Sequence, residues 1–131
     1  MGDFRLVKVE SAGGPVFEQR PLGGTVEEGD IAHWDANELV KIGDDEASDQ
    51  LFLCMEGGDD GDTVTVMRIT RETIIEGTQT GTIGDIGDAM GFTLDGADLL
   101  FDPAATAANE HFEVYRVVDA AEKIIQCRFI A

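Results

Sequence analysis

Residues 49–70, DQLFLCMEGGDDGDTVTVMRIT, restrict the possible folds more than any other part of the chain. Two runs rich in apolar and β-branched residues, 51–55 and 63–69, flank Glu56-Gly57-Gly58-Asp59-Asp60-Gly61-Asp62, a block made almost wholly of turn formers. The pattern predicts a β-hairpin. Its first arm is apolar on both faces, with Leu51, Leu53 and Met55 opposed to Phe52 and Cys54, so something must pack on each side of it. The second arm sets Thr65, Met67 and Ile69 against Val64, Val66 and Arg68. A strand covered on both faces belongs inside a sandwich or barrel, and the hairpin is expected at the centre of the fold.

The rest of the chain reads as further short strands. Residues 4–9 alternate Phe4, Leu6 and Lys8 with Arg5, Val7 and Val9, and the two cations suit an edge strand; residues 1–22 could form an N-terminal arm. Residues 16–20 make a short strand before Pro21, and 31–34 and 38–42 a small hairpin turning at Asp35-Ala36-Asn37. Gly43 opens an acidic loop, 43–49. Strands are expected at 72–78, 89–94, 99–101, 111–118 and 123–130, with a glycine-rich exposed loop over 80–88. Only 102–109 suggests helix, one or two turns capped by Asp102 with Pro103 in the first helical position. Many short strands without a long helix predict an all-β fold, one small β-barrel or β-sandwich-like domain of short antiparallel strands spanning 1–131 with at most one short helix. Its core should draw on Leu51, Leu53, Met55, Val64, Val66, Val114, Ile125, Cys127 and Phe129.

A chain of 131 residues can bury roughly two thirds of the surface its unfolded form exposes, enough for a core without staples. With 43% hydrophobic residues the chain folds, and its formal charge of −18 must lie on the surface. That field repels phosphates and anionic lipid, which argues against nucleic acid and membrane as direct partners. No apolar run approaches the ~20 residues of a membrane span, and the start Met-Gly-Asp-Phe-Arg lacks a secretory leader's pattern, so synthesis in the cytoplasm is expected. Cys54 and Cys127 lie in apolar strand-like runs, where a buried, reduced thiol is the ordinary state.

Little in the chain points to chemistry. The segment 57–62 resembles a calcium loop in composition but lacks both the twelve-residue loop spacing and a stacked repeat, and it suits a solvated hairpin tip. His33 and His111 are the only imidazoles, and with two cysteines in separate contexts they form no zinc-spaced set. Ser11 and Ser48 are the only serines, and neither sits in a nucleophile elbow. The expectation is a protein that is not an enzyme, with no catalytic residue, metal or cofactor. Trp34, beside His33, is a core or rim aromatic, or a contact for a partner.

The run Gly24-Thr25-Val26-Glu27-Glu28-Gly29-Asp30, the return at 38–42, and a glycine turn at 57–61 entering Thr63-Val64-Thr65-Val66-Met67-Arg68-Ile69 resemble capsid decoration (cement) proteins of tailed phages and related viruses. The resemblance covers about residues 24–69. It implies a non-enzymatic structural protein of the virion that binds the exterior of an assembled capsid, partnered by the major capsid protein, commonly as a homo-trimer at three-fold positions, and stabilises the head. Phe4, Arg5, Leu6, Val7 and Lys8, as an edge able to extend a neighbour's sheet, and Trp34 are the candidate capsid or subunit contacts. Lipoyl or biotinyl carrier domains share the Gly-Asp turn, but Lys8, Lys41 and Lys123 lack the Asp-Lys or Met-Lys turn those carriers modify. The acidic composition keeps such a protein dispersed before assembly, and equally suits a salt-loving host.

Overall fold

The computed structural model describes residues 4–10, 14–43, 50–96, 98–105 and 109–130. Among the described residues there are eleven strands: β1 (Arg5–Val9), β2 (Phe17–Pro21), β3 (Ile31–Asp35), β4 (Glu38–Lys41), β5 (Leu51–Cys54), β6 (Thr63–Arg68), β7 (Thr73–Thr78), β8 (Ala89–Asp95), β9 (Asp98–Asp102), β10 (Phe112–Asp119) and β11 (Ile124–Phe129). They form two antiparallel sheets, one of six strands in the order β1-β7-β11-β10-β8-β9 and one of five in the order β2-β6-β5-β3-β4.

The predicted hairpin is β5–β6, paired through Phe52↔Arg68, Leu53↔Met67 and Cys54↔Val66, and β5 is the middle strand of its sheet. Its two apolar faces serve two cores. Leu51, Leu53, Met67 and Ile69 join the main core between the sheets, whereas Phe52, Cys54, Val64 and Val66 join a second cluster with Leu22, Val26, Ala32 and Leu39. That second cluster fills the curl of the five-stranded sheet. A parallel bridge between Leu22 and Leu39 closes the curl, with the Gly23 amide donating to the Leu39 carbonyl at 2.8 Å. The six-stranded sheet curls in the same way. Gln79 bridges to Phe101, and the Thr80 amide donates to the Phe101 carbonyl at 2.9 Å.

The main core is aromatic. Phe4, Phe92, Phe101, Phe112 and Phe129 are each at most 7% exposed, and most of their contacts are edge-to-face with centroids 4.9–5.7 Å apart, the arrangement ring quadrupoles favour. Eight of the nine residues assigned to the core from sequence are buried, and Met55 packs against the main core while partly exposed because β5 ends at Cys54. The small hairpin β3–β4 turns on Ala36 (φ 50°) and Asn37 (φ 71°). Two successive positive φ values give the two-residue turn whose twist matches its strands.

No α-helix occurs among the described residues, and Asn109 alone has 3₁₀ geometry. In the 102–109 segment, Asp102 ends β9 and its Oδ1 accepts from the Ala104 amide at 2.9 Å. Asp102 and Pro103 therefore make a tight turn there instead of opening a helix, and 106–108 lie outside the described residues. The acidic stretch 44–49 and both serines also lie outside them. The loop after β7 is pegged by Gln79, 1% exposed, whose side chain bonds the Thr82 carbonyl at 2.5 Å and the Gly84 amide at 3.3 Å.

Candidate interaction surface

β1 is an edge strand, as its sequence predicts. It pairs with β7 through Arg5↔Glu76, Leu6↔Ile75, Lys8↔Ile74 and Val9↔Thr73, with a bulge at Val7. Its residues divide by face. Phe4, just before the strand, is 3% exposed and buries its ring between Phe92 and Phe101. Its side chain is thus an internal anchor and not a surface contact, the outcome of its alternation with Arg5 beside an aromatic core. Leu6 and Val9 pack against that core while partly exposed. Val7, the bulged residue, is 37% exposed.

The cations of β1 are engaged on the outer face of the sheet. The Arg5 guanidinium donates to Glu76 Oε2 at 2.6 Å, and Gln126 donates to the other oxygen of the same carboxylate at 3.2 Å. Lys8 Nζ reaches the Tyr115 hydroxyl at 3.3 Å and lies 5.3 Å from the ring centre, with Glu10 at 3.9 Å. Arg128 sits over the same ring at 5.2 Å and pairs with Glu10 at 2.5 Å. Glu76 and Gln126, each 8% exposed, escaped the sequence reading because both look like ordinary outward polar residues of alternating strands.

Trp34 belongs elsewhere. It packs against the second cluster, with the Arg20 guanidinium 4.7 Å over its ring and 5.5 Å from that of Phe52. Arg20 is fixed in turn by Glu18, which pairs with it at 2.8 Å and with Arg68 at 3.0 Å. Burial pushes the Glu18 carboxyl up, but the hydrogen bonds from Arg20 and Arg68 outweigh it and hold the group below the usual carboxylate range. Trp34 and β1 therefore lie in different sheets and do not combine into one site. Sequence reading also missed Val16 and Phe17, 53% and 51% exposed at the start of β2. An apolar pair following Gly14-Pro15 was the available signal.

Among the described residues, no three His, Cys, Asp or Glu side chains gather to hold a metal. At the acidic hairpin tip the carboxylate of Asp62 accepts from the Asp59 amide at 2.9 Å, so it closes its own turn. Asp30, 2% exposed, is held by the Glu27 amide at 2.9 Å and Lys41 at 3.6 Å. A cleft of about 130 Å³ lined by Gln50, Leu51, Phe52, Arg68 and Ile69 is small beside the ~300–1,000 Å³ of small-molecule sites. Burial raises both thiols, that of Cys54 to about 12, and they lie in different cores. No helix is long and apolar enough to cross a membrane among the described residues.

Comparison with solved structures finds a similar fold in the N base of head fiber gp8.5 in bacteriophage phi29, with a TM-score of 0.62 over 88% of this chain and 94% of that one. The fold is similar to that of a phage head fiber base. Sequence identity to the gp8.5 base is 13%, so the likeness is one of fold. No family model matches the chain, and no curated protein matches it significantly.

Proposed function

We propose that the chain is a non-enzymatic structural protein of a phage virion that seats on the exterior of the assembled head and stabilises it. The observation carrying this reading is the fold shared with the gp8.5 base across nearly the whole of both chains. The decoration-protein resemblance of residues 24–69 points the same way from sequence. A charge of −18 on a compact domain supports it further, since copies that repel one another stay dispersed until a head offers a binding surface.

The partner in this reading is the major capsid protein, and the attaching element is β1 with its open edge, displayed as a trimer around a three-fold position. Arg5, Val7 and Lys8 provide the exposed contacts, while Phe4 holds the strand in place. Trp34 is the weaker contact because Arg20 already covers one face of its ring. Purified protein mixed with undecorated heads should co-sediment with them, and decorated heads should withstand more heat before releasing DNA. Intact mass spectrometry addresses the carrier alternative: a modified carrier would show added mass on Lys123, which is exposed at the turn entering β11.

A further inference from the structure

Among the described residues, each sheet has one edge engaged within the chain and one without a strand neighbour. β9 is engaged by Gln79 and Thr80, and β4 by Leu22 and Gly23. Among the described residues, no strand pairs with the outer edge of β1, although the Phe4 amide just before it donates to the Gly29 carbonyl at 3.1 Å, and none pairs with β2 on the side away from β6 before the closing contact at Leu22. The two open edges meet at one corner. There the Glu10 amide donates to the Glu72 carbonyl at 2.8 Å and the Arg68 amide to the Val16 carbonyl at 3.0 Å, on either side of the link from β6 to β7.

The side chains at this corner are unusual for open edges. Three of the six exposed large hydrophobics among the described residues, Val7, Val16 and Phe17, lie on them or at their ends. Single exposed apolar residues need no explanation, but apolar residues gathered along unpaired strands are what natural edges avoid. The outer face of β1 presents Arg5 and Lys8, whose side chains are 70% and 48% exposed although each already pairs within the chain, Arg5 with Glu76 and Lys8 with Glu10. The bulge at Val7 sets them opposite Glu76 and Ile74, two ladder steps apart on one face.

We propose that this corner takes up an extended segment of another protein as a strand added to β1, and that the segment alternates carboxylate and apolar side chains. The proposal deepens the attachment reading above and rests on it for the partner being a head subunit. Successive residues of an added strand point to opposite faces, so carboxylates at alternate positions come beside Arg5 and Lys8, where opposite charges on neighbouring strands stabilise. The intervening apolar residues fall on the inner side, over the partly exposed Leu6 and Val9 and toward Val16 and Phe17. A second copy's β1 fits poorly, because it would lay Arg5 and Lys8 beside their own counterparts. The bulge and the cations guard the edge against indiscriminate pairing, and carboxylates placed next to Arg5 and Lys8 gain a local attraction that must exceed the repulsion of a chain carrying −18 overall.

The test uses the full chain and a short peptide alternating valine and glutamate, with a valine–lysine peptide as its counterpart, followed by NMR titration. The glutamate peptide should shift the amides of residues 5–9 and bind roughly tenfold or more tightly than the lysine peptide, a difference of about 1.4 kcal/mol. Arg5→Glu combined with Lys8→Glu should reverse that order. Phe17→Ser, which removes an exposed side chain and leaves the ion pairs intact, should weaken both peptides without changing the melting temperature. Absence of glutamate-peptide binding at millimolar concentration, shifts mapping away from β1, or self-pairing through β1 would overturn the proposal. Co-sedimentation separates it from the broader reading: heads that bind the charge-reversed and Phe17→Ser variants as well as the native chain refute this corner and leave the function standing, whereas heads that ignore the native chain refute the function.

Discussion

Gly77 is the floor on which Phe4 rests, and adding one methyl group there tests how β1 is held. A Cβ at Gly77 would lie 2.5 Å from both Cδ1 and Cε1 of the Phe4 ring and 3.1 Å from Cε2 of Phe101. Ordinary carbon contacts are about 3.5–4.0 Å, so the Phe4 ring must retreat by roughly 1 Å. Phe92 and Phe101 stand edge-on against it at centroid distances of 5.5 and 4.9 Å, which leaves it no free direction inside the core. Overpacking of this kind costs about 1–3 kcal/mol, and the ceiling is the ~3–5 kcal/mol lost if the ring leaves altogether. Gly77→Ala should therefore lower stability by about 1–3 kcal/mol in urea unfolding, with hydrogen exchange rising first in β1. In a Phe4→Leu background the methyl fills vacated space, and the same substitution should cost at least ~1 kcal/mol less. A neutral Gly77→Ala, or strict additivity with Phe4→Leu, would refute the argument.

Three further outcomes follow from the same contacts. The folded-state pKa of Glu18 lies below its unfolded value, so its pairing contributes stability above the ordinary carboxylate range that is lost as pH falls through the folded value; Glu18→Gln should be less stable than the native chain at pH 7, with the gap closing in acid, as thermal melts at several pH values would register. Cys54, pushed up to about 12, and Cys127, raised further by burial, should both resist a thiol reagent at pH 8 until denaturant is added, and labelling of the folded chain would contradict their placement in the cores. Because 27 acidic residues face 9 basic ones, raising salt from about 0.01 M to 1 M, which shortens the Debye length from about 30 Å to about 3 Å, should raise the melting temperature, and a flat or falling one would count against self-repulsion.

The parts of the fold legible in sequence were those where one strand carries its own evidence. Residues 51–54 are apolar at every position, which demanded cover on both sides, and the two cores supply it. The closure of each sheet was not legible, because Leu22↔Leu39 and Gln79↔Phe101 are single bridges between distant segments that leave no local pattern. The helix suggested for 102–109 rested on a capping aspartate and Pro103 in the first helical position, and at its start an Asp before proline serves a turn instead; 106–108 lie outside the described residues and Asn109 is 3₁₀. At the candidate surface, alternation in residues 4–9 set Lys8 with Phe4 and Leu6 and opposite Arg5, whereas the bulge at Val7, which no local pattern announces, brings Lys8 to the outer face beside Arg5; Phe4 belongs to the inner row and was counted as a contact. Val16 and Phe17 stayed hidden because an apolar pair reads as core until the neighbouring sheet is seen not to cover it.

The most direct test of the account is cryo-electron microscopy of undecorated heads incubated with the purified chain and imaged beside untreated heads. The account predicts new density on the outer surface at symmetry-related positions, fitted by the two-sheet domain with the β1 corner turned toward the shell. Heads that stay bare at saturating protein, under conditions where the chain is folded, would contradict it.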